Sequence, residues 1–83
     1  MKGSDDKRMN YYSIKRKPEI RAMRRNLKHF RKSAGLSLRA MGGSIGYSHG
    51  HISAIERGLF TPSLGYLLTA CVFFDTKLED IFK

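Results

Sequence analysis

The stretch Gly35–Gly58, GLSLRAMGGSIGYSHGHISAIERG, decides how the rest of the chain is read. Its first half, Leu38 to Ile45, sets Leu38, Met41 and Ile45 at i, i+3 and i+7, one face of a helix. Gly46 follows as a residue able to take the left-handed conformation just past a helix end. Ser48 then offers a side-chain oxygen to cap a new helix. That second helix is expected from about His49 to Arg57, with Ile52 and Ile55 on its core face, Tyr47 entering from the turn, and Gly58 as its stop. Two helices joined by a glycine-bearing turn, the second short and polar on one side, are the parts of a helix-turn-helix.

Working backward, Pro18 suits a first helical turn, where its missing N–H costs nothing, and Glu19 complements the positive helix end. From there Ile20, Met23, Leu27, Phe30 and Ala34 recur at spacings of 3 and 4, a core-facing stripe. Arg21, Arg24, Arg25, Lys28, Arg31 and Lys32 fall on the other side of the same wheel. As a merely solvated face, six like charges without acids repel one another for no gain, so the face reads as one that meets a polyanion. Residues 1–32 hold 12 of the 16 Lys/Arg and 3 of the 7 acids, and so carry the whole net charge of +9. A localised basic face beside a helix-turn-helix is the electrostatic footprint of a polyanion binder.

Residues 1–17, MKGSDDKRMNYYSIKRK, show no helical stripe. They read as a frayed tail, as a basic arm whose Lys15, Arg16 and Lys17 track phosphates or enter the minor groove, or as a segment docking Tyr11, Tyr12 and Ile14 on a partner subunit. The domain organisation expected is therefore an arm over 1–17 and one helical domain over 18–83.

Working forward, the loop Leu59-Phe60-Thr61-Pro62-Ser63 begins with two large apolar residues, which either fold back on the core or form a dimer seam. Pro62 and Ser63 open a fourth helix, with Leu64, Leu67, Leu68, Cys71 and Val72 as its apolar face. Thr76 and Glu79 have capping-box spacing for a last short helix that carries Leu78, Ile81 and Phe82. Cys71, the single cysteine, reads as a small buried hydrophobe, since no basic partner marks it as a catalytic thiol.

The run from Gly35 to Gly58 resembles the lambda-repressor/Cro-like (Xre-type) family of DNA-binding domains. That family's usual pattern is G-L-[ST]-Q-x-x-L-A-x-x-x-G-[VI]-[ST]-x-x-x-[IL]-[ST]-x-[IL]-E-x-G. Gly35, Leu36, Ser37, Gly46, Ser48, Ile52, Ser53, Ile55, Glu56 and Gly58 fall on it without insertion or deletion. Leu38 stands where the family has Gln, and Gly42-Gly43 replace good helix formers. The resemblance covers Gly35 to Phe82, and the first helix extends it back to about Glu19. It implies an all-α, five-helix, lambda-repressor-like DNA-binding domain, here with a basic N-terminal arm.

The resemblance also implies roles. Base readers in the family sit at the positions of His49, Gly50 and Ala54, with phosphate contacts from Ser48 and Ser53 or nearby. The exposed candidates on the reading helix are thus His49, Gly50, His51, Ser53 and Ala54. A histidine can donate to guanine and an alanine can touch a thymine methyl, whereas the bidentate Gln, Arg or Asn of relatives is missing. Phosphate candidates are Lys15, Arg16, Lys17, Arg24, Lys28, Ser37, Ser48 and Arg57, Ser37 through the helix N-terminus that it caps. An arginine at the position of Arg31 commonly pairs with the glutamate that is Glu56 here, a structural ion pair. Gly42 has a family rationale, since a small residue there lets the second helix pack closely on the third.

Other classes find little support. Apolar content is 41%, and no apolar run approaches the ~20 residues of a membrane helix. The polar, charged N-terminus shows no secretory signal, and one cysteine gives no internal disulfide, so a reducing cytoplasm is the expected compartment. No glycine-rich phosphate loop follows a strand, so neither an enzyme nor a cofactor is expected. His49 and His51 at i and i+2 do not share a helix face, so no metal site is expected from them. The expected function is a sequence-specific regulator, most economically a repressor, that binds double-stranded DNA as a homodimer. A regulatory protein partner is a further expected route of control. The alternative is a protein-interaction module of antitoxin or anti-repressor type, with weak DNA binding.

Overall fold

The computed structural model describes residues 17–59 and 61–83. Lys15 and Arg16 of the expected arm, and Phe60 of the expected loop, lie outside them. The described residues form four α-helices, α1 (Pro18–Ser33), α2 (Leu38–Ile45), α3 (His49–Glu56) and α4 (Leu64–Phe73), followed by a 3-10 helix (Leu78–Phe82). Among them there is no strand. The fifth element is thus a 3-10 turn rather than an α-helix. It starts after Lys77 without a side-chain cap, so the capping-box register read for Thr76 and Glu79 is not adopted.

The local chemistry that starts each helix is consistent. Pro18 opens α1. Ser37, Ser48 and Ser63 each cap the helix that follows, their hydroxyls accepting from the N–H of Ala40, His51 and Tyr66 at 3.0–3.1 Å. Each bond satisfies an N–H that the helix itself leaves without a partner, typically worth about 1 kcal/mol. Gly46 ends α2 at φ 82°, where its N–H and that of Tyr47 both donate to the Gly42 carbonyl.

The core is built from the α1 stripe and the two isoleucines of α3. Met23, Leu27, Met41, Ile52, Ile55, Tyr66 and Ile81 are almost wholly buried, with Ile20 and Phe30 packed at their margin. Helix α1 lies against α3 and the 3-10 helix, and α2 bridges α3 and α4. The Asn26 amide donates to the Ile81 carbonyl at 2.9 Å, tying α1 to the chain's last turn. Ala34, read as the end of the stripe, is instead the exposed C-cap of α1, while Ala22 is buried.

The apolar face of α4 needs correction. Tyr66, Leu67, Ala70 and Cys71 face the core, whereas Leu64, Leu68 and Val72 are exposed. A helix apolar on every side carries no phase in its hydrophobic pattern, so spacing placed Leu67 and Cys71 rightly on the core side and Leu64, Leu68 and Val72 wrongly. Leu59 likewise does not fold back on the core and remains exposed.

Gly43 is exposed, and nothing lies within 4 Å of where a Cβ would stand. Gly43→Ala is therefore expected to raise stability by about 0.5–1 kcal/mol, through helix propensity and reduced freedom of the unfolded chain. Urea titration followed by far-UV circular dichroism checks it. Among the described residues no helix is long and apolar enough to cross a membrane.

Candidate nucleic-acid interface

Helix α3 presents its N-terminal end and buries its opposite face. Ser48, His49 and Gly50 are exposed, Ser53 and Ala54 are half-buried, and Ile52 and Ile55 are enclosed. The orientation follows from sequence spacing, because the two isoleucines three residues apart can only share the core side. His49 and Gly50 therefore stand at the free end of the helix. His51 is placed differently. Its ring stacks on Tyr47 at 5.3 Å between centroids and lies 5.8 Å from Tyr66, while Tyr47 meets Tyr66 edge-on at 4.9 Å. The structure thus separates the five candidate readers into an exposed pair, an intermediate pair and one aromatic-packed histidine. Tyr47 comes from the turn before α3 and Tyr66 from α4, so neither contact of His51 left a signal in the helical spacing.

Helix α3 is held at its other end by an ion pair. Arg31 Nε lies 2.7 Å from Glu56 Oε2 and its Nη2 lies 2.9 Å from Oε1, a bidentate geometry. Its Nη1 donates to the Leu36 carbonyl at 2.8 Å, so the guanidinium also fixes the turn between α1 and α2. Both side chains are nearly enclosed, at 10% and 8% exposure. The Glu56 carboxylate raises the Arg31 pKa above its ordinary value, against the opposing effect of burial. Charge-assisted bidentate pairs of this kind combine strength with a fixed orientation. Arg31 is thereby withdrawn from the basic surface of α1.

The remaining basic residues of α1 divide by exposure. Arg21, Arg25, Lys28 and Lys32 are exposed, whereas Arg24 is half-buried with its guanidinium against Gly58. A Cβ at Gly58 would occupy the space of that guanidinium, which gives Gly58 a packing role beside its backbone angle of φ 77°. Arg24 is a cation beside the C-terminal end of α3, the end that favours positive charge. Lys17 is exposed at the start of α1, and Arg57 is exposed just past the end of α3. Ser37 and Ser48 are exposed caps, so two successive helices offer capped, solvent-facing N-termini. Such ends bind anions through free N–H groups and the helix dipole.

Burial also marks the tyrosine beneath α3. Desolvation, with repulsion from the Glu56 carboxylate, pushes the Tyr66 phenol from 10.0 up to about 12. The folded state then keeps a proton that the unfolded chain releases, so stability must fall as pH rises from 10.0 toward about 12. Thermal melts across that range are expected to show this loss, and Tyr66→Phe to lose less of its stability between the same limits.

Comparison with known proteins agrees with this architecture. A family model described as a helix-turn-helix domain matches residues 22–81. The chain is 35% identical over 60 residues to a protein of Bacillus subtilis named "Uncharacterized HTH-type transcriptional regulator YgzD", a match that covers 72% of this chain and 91% of the relative. It is 37% identical over 60 residues to "Uncharacterized HTH-type transcriptional regulator MJ0272" of Methanocaldococcus jannaschii, with the same coverage of 72% and 91%.

Proposed function

Because the chain belongs to the helix-turn-helix domain family, in agreement with its lambda-repressor/Cro-like resemblance, we propose that it is a transcriptional regulator that binds double-stranded DNA sequence-specifically. The observation that carries this reading is the free end of α3, where Ser48, His49 and Gly50 are exposed while Ile52, Ile55 and the Arg31–Glu56 pair hold the helix from behind. In this reading α3 enters the major groove, with His49 and Gly50 foremost and Ser53 and Ala54 beside them. The N-termini of α2 and α3, at Ser37 and Ser48, meet phosphates.

Lys17, Lys28, Arg57 and the half-buried Arg24 add charge along the backbone, and the arm over residues 1–17 extends that contact through Lys15 and Arg16. The folded domain spans 18–83. His51 supports α3 from the aromatic cluster rather than reading a base. The protein acts as a homodimer on a pseudo-palindromic site with half-sites about one helical turn apart, and represses by occupying that site. Nothing in the reading calls for catalysis or a cofactor.

A titration of a duplex of mixed sequence against salt tests the electrostatic part. Log K should fall linearly with log salt, with a slope of about −0.9 for each phosphate neutralised. Lys28→Ala, at an exposed position, is expected to reduce that slope by about 1 and to weaken every duplex alike. An unchanged slope would remove Lys28 from the phosphate-contacting surface. Absence of duplex binding at low salt would favour the protein-interaction module, a reading to which the exposed Leu59 lends support.

A further inference from the structure

Positive charge and the reading end lie on opposite sides of the domain. The helix-turn-helix stretch, residues 35–58, holds two cations, Arg39 and Arg57, and one acid, Glu56, whereas α1 alone holds six cations against Glu19. Two of the six, Arg24 and Arg31, turn toward the C-terminal end of α3, where they meet Gly58 and Glu56. The other four, Arg21, Arg25, Lys28 and Lys32, are exposed. At ~100° per residue they fall within about 60° of arc, in a row roughly 16 Å long, on the side of α1 opposite Met23 and Leu27. Among the described residues Arg25, Lys28 and Lys32 enter no ion pair. Met23 and Leu27 share the core with Ile52 and Ile55 of α3. The buried faces of α1 and α3 thus look toward each other, and the row looks away from Ser48, His49 and Gly50 at the free end of α3.

We propose that this row is a second DNA-binding surface, one that holds the phosphates of a duplex other than the one read by α3, so that the protein ties two DNA segments together. Chemistry selects the occupant. No apolar side chain stands within the arc of the row, whereas a specific protein interface keeps an apolar centre from which Lys is depleted. A phosphate backbone asks only for cations at intervals along a line, and a duplex presents one negative charge per ~1.7 Å of its axis. Geometry selects a second duplex. Helix α3 has eight residues and is about 12 Å long, so a groove that takes in its free end lies across the domain from Arg25 and Lys32. Lys28, the member of the row nearest Arg24 and Arg31 around the helix, borders both sides and also serves the first duplex. This second surface presupposes the DNA-binding reading above and adds a second duplex to it.

A capture experiment with the full chain at near-physiological salt reads the outcome in two steps. Protein is loaded on an immobilised duplex, and a labelled free duplex of mixed sequence is then added. The wild type is expected to load and to retain the labelled duplex. Arg25→Ala combined with Lys32→Ala, both at exposed positions, is expected to load as the wild type does, keep its far-UV circular dichroism spectrum, and lose the labelled duplex. Arg25→Lys with Lys32→Arg, which keeps the charge, is expected to retain it. Capture through the reading end of a second copy would survive the alanine pair, so an alanine pair that captures fully overturns the proposal. So does one that loses loading together with capture, which would place the row on the first duplex. A wild type that loads but captures only labelled polyglutamate, offered in place of the second duplex, assigns the row to an acidic protein and overturns the proposal, as does one that captures neither. A wild type that fails to load sinks the DNA-binding reading itself and the second surface with it, an outcome visible before the second duplex is added.

Discussion

Glu56→Ala is expected to destabilise the domain by about 3–5 kcal/mol, the largest effect of any single substitution considered. The glutamate is 8% exposed and accepts two bonds from a guanidinium that is 10% exposed. Removing it leaves Arg31 in the same enclosure with the Leu36 carbonyl as its remaining hydrogen-bond acceptor. The cost is thus mainly that of a stranded charge, rather than the net worth of the pair. In a domain this small, 1 kcal/mol moves the melting temperature by about 4–8 °C, so the variant should melt far below the wild type. Replacing both partners, as Arg31→Met with Glu56→Leu, should cost much less than the two single losses together, because no charge is then left buried. Urea unfolding of the four proteins checks this. A loss below about 1 kcal/mol for Glu56→Ala would assign the pair the weak behaviour of a surface salt bridge.

Gly42→Ala is expected to be the second large loss, about 2 kcal/mol net. The added methyl would run into the backbone carbonyl of Tyr47, in the turn that sets α3 against α2, and press on the N–H of His49 at the start of α3. A carbonyl held in a turn cannot swing aside as a side chain can, so the two helices must part. Overpacking of this kind typically costs about 1–3 kcal/mol, offset in part by alanine's better helix propensity. The same substitution one residue later, at Gly43, is expected to stabilise. Opposite signs at adjacent glycines in one helix distinguish a steric contact from propensity, and thermal melts of the two variants read the difference directly. Loss of duplex binding by Gly42→Ala beyond its loss of stability would show that the angle of α3 matters for recognition.

The parts of the fold that were legible in the sequence are those set by local chemistry. Ser37, Ser48 and Ser63 cap helices because a hydroxyl three residues before an unpaired N–H does so in almost any context. The phase of α1 was readable because Met23 and Leu27 face the core opposite a charged surface, which gives the wheel two distinct sides. Helix α4 has no such contrast. Its inward Tyr66 and Ala70 and outward Leu64 and Val72 are decided by where α2 and the 3-10 helix press against it, a tertiary fact with no local trace. Asp75, in the left-handed conformation at φ 54° after α4, takes a position usually given to glycine and so carries no glycine signal for the turn.

The candidate site was legible to a similar depth. Spacing placed His49 and Gly50 at the free end of α3, since Ile52 and Ile55 had to face inward. It did not anticipate that His51 packs with Tyr47 and Tyr66, or that Arg24 lies against Gly58. Each contact reaches beyond the helix that carries the polar side chain, from His51 to Tyr47 in the turn and Tyr66 on α4, and from Arg24 to Gly58 past α3, and polar side chains give no hydrophobic phase to follow. Of the five candidates, His49 and Gly50 are exposed, whereas His51 packs against Tyr47 and Tyr66.

Selection from a pool of randomised duplexes at near-physiological salt, followed by sequencing of the retained DNA, tests the central claim most directly. Enrichment of a two-fold symmetric motif whose half-sites lie about one helical turn apart is expected. Retention without enrichment would contradict it by reducing the +9 chain to a sequence-independent phosphate binder, and no retention would contradict DNA binding altogether.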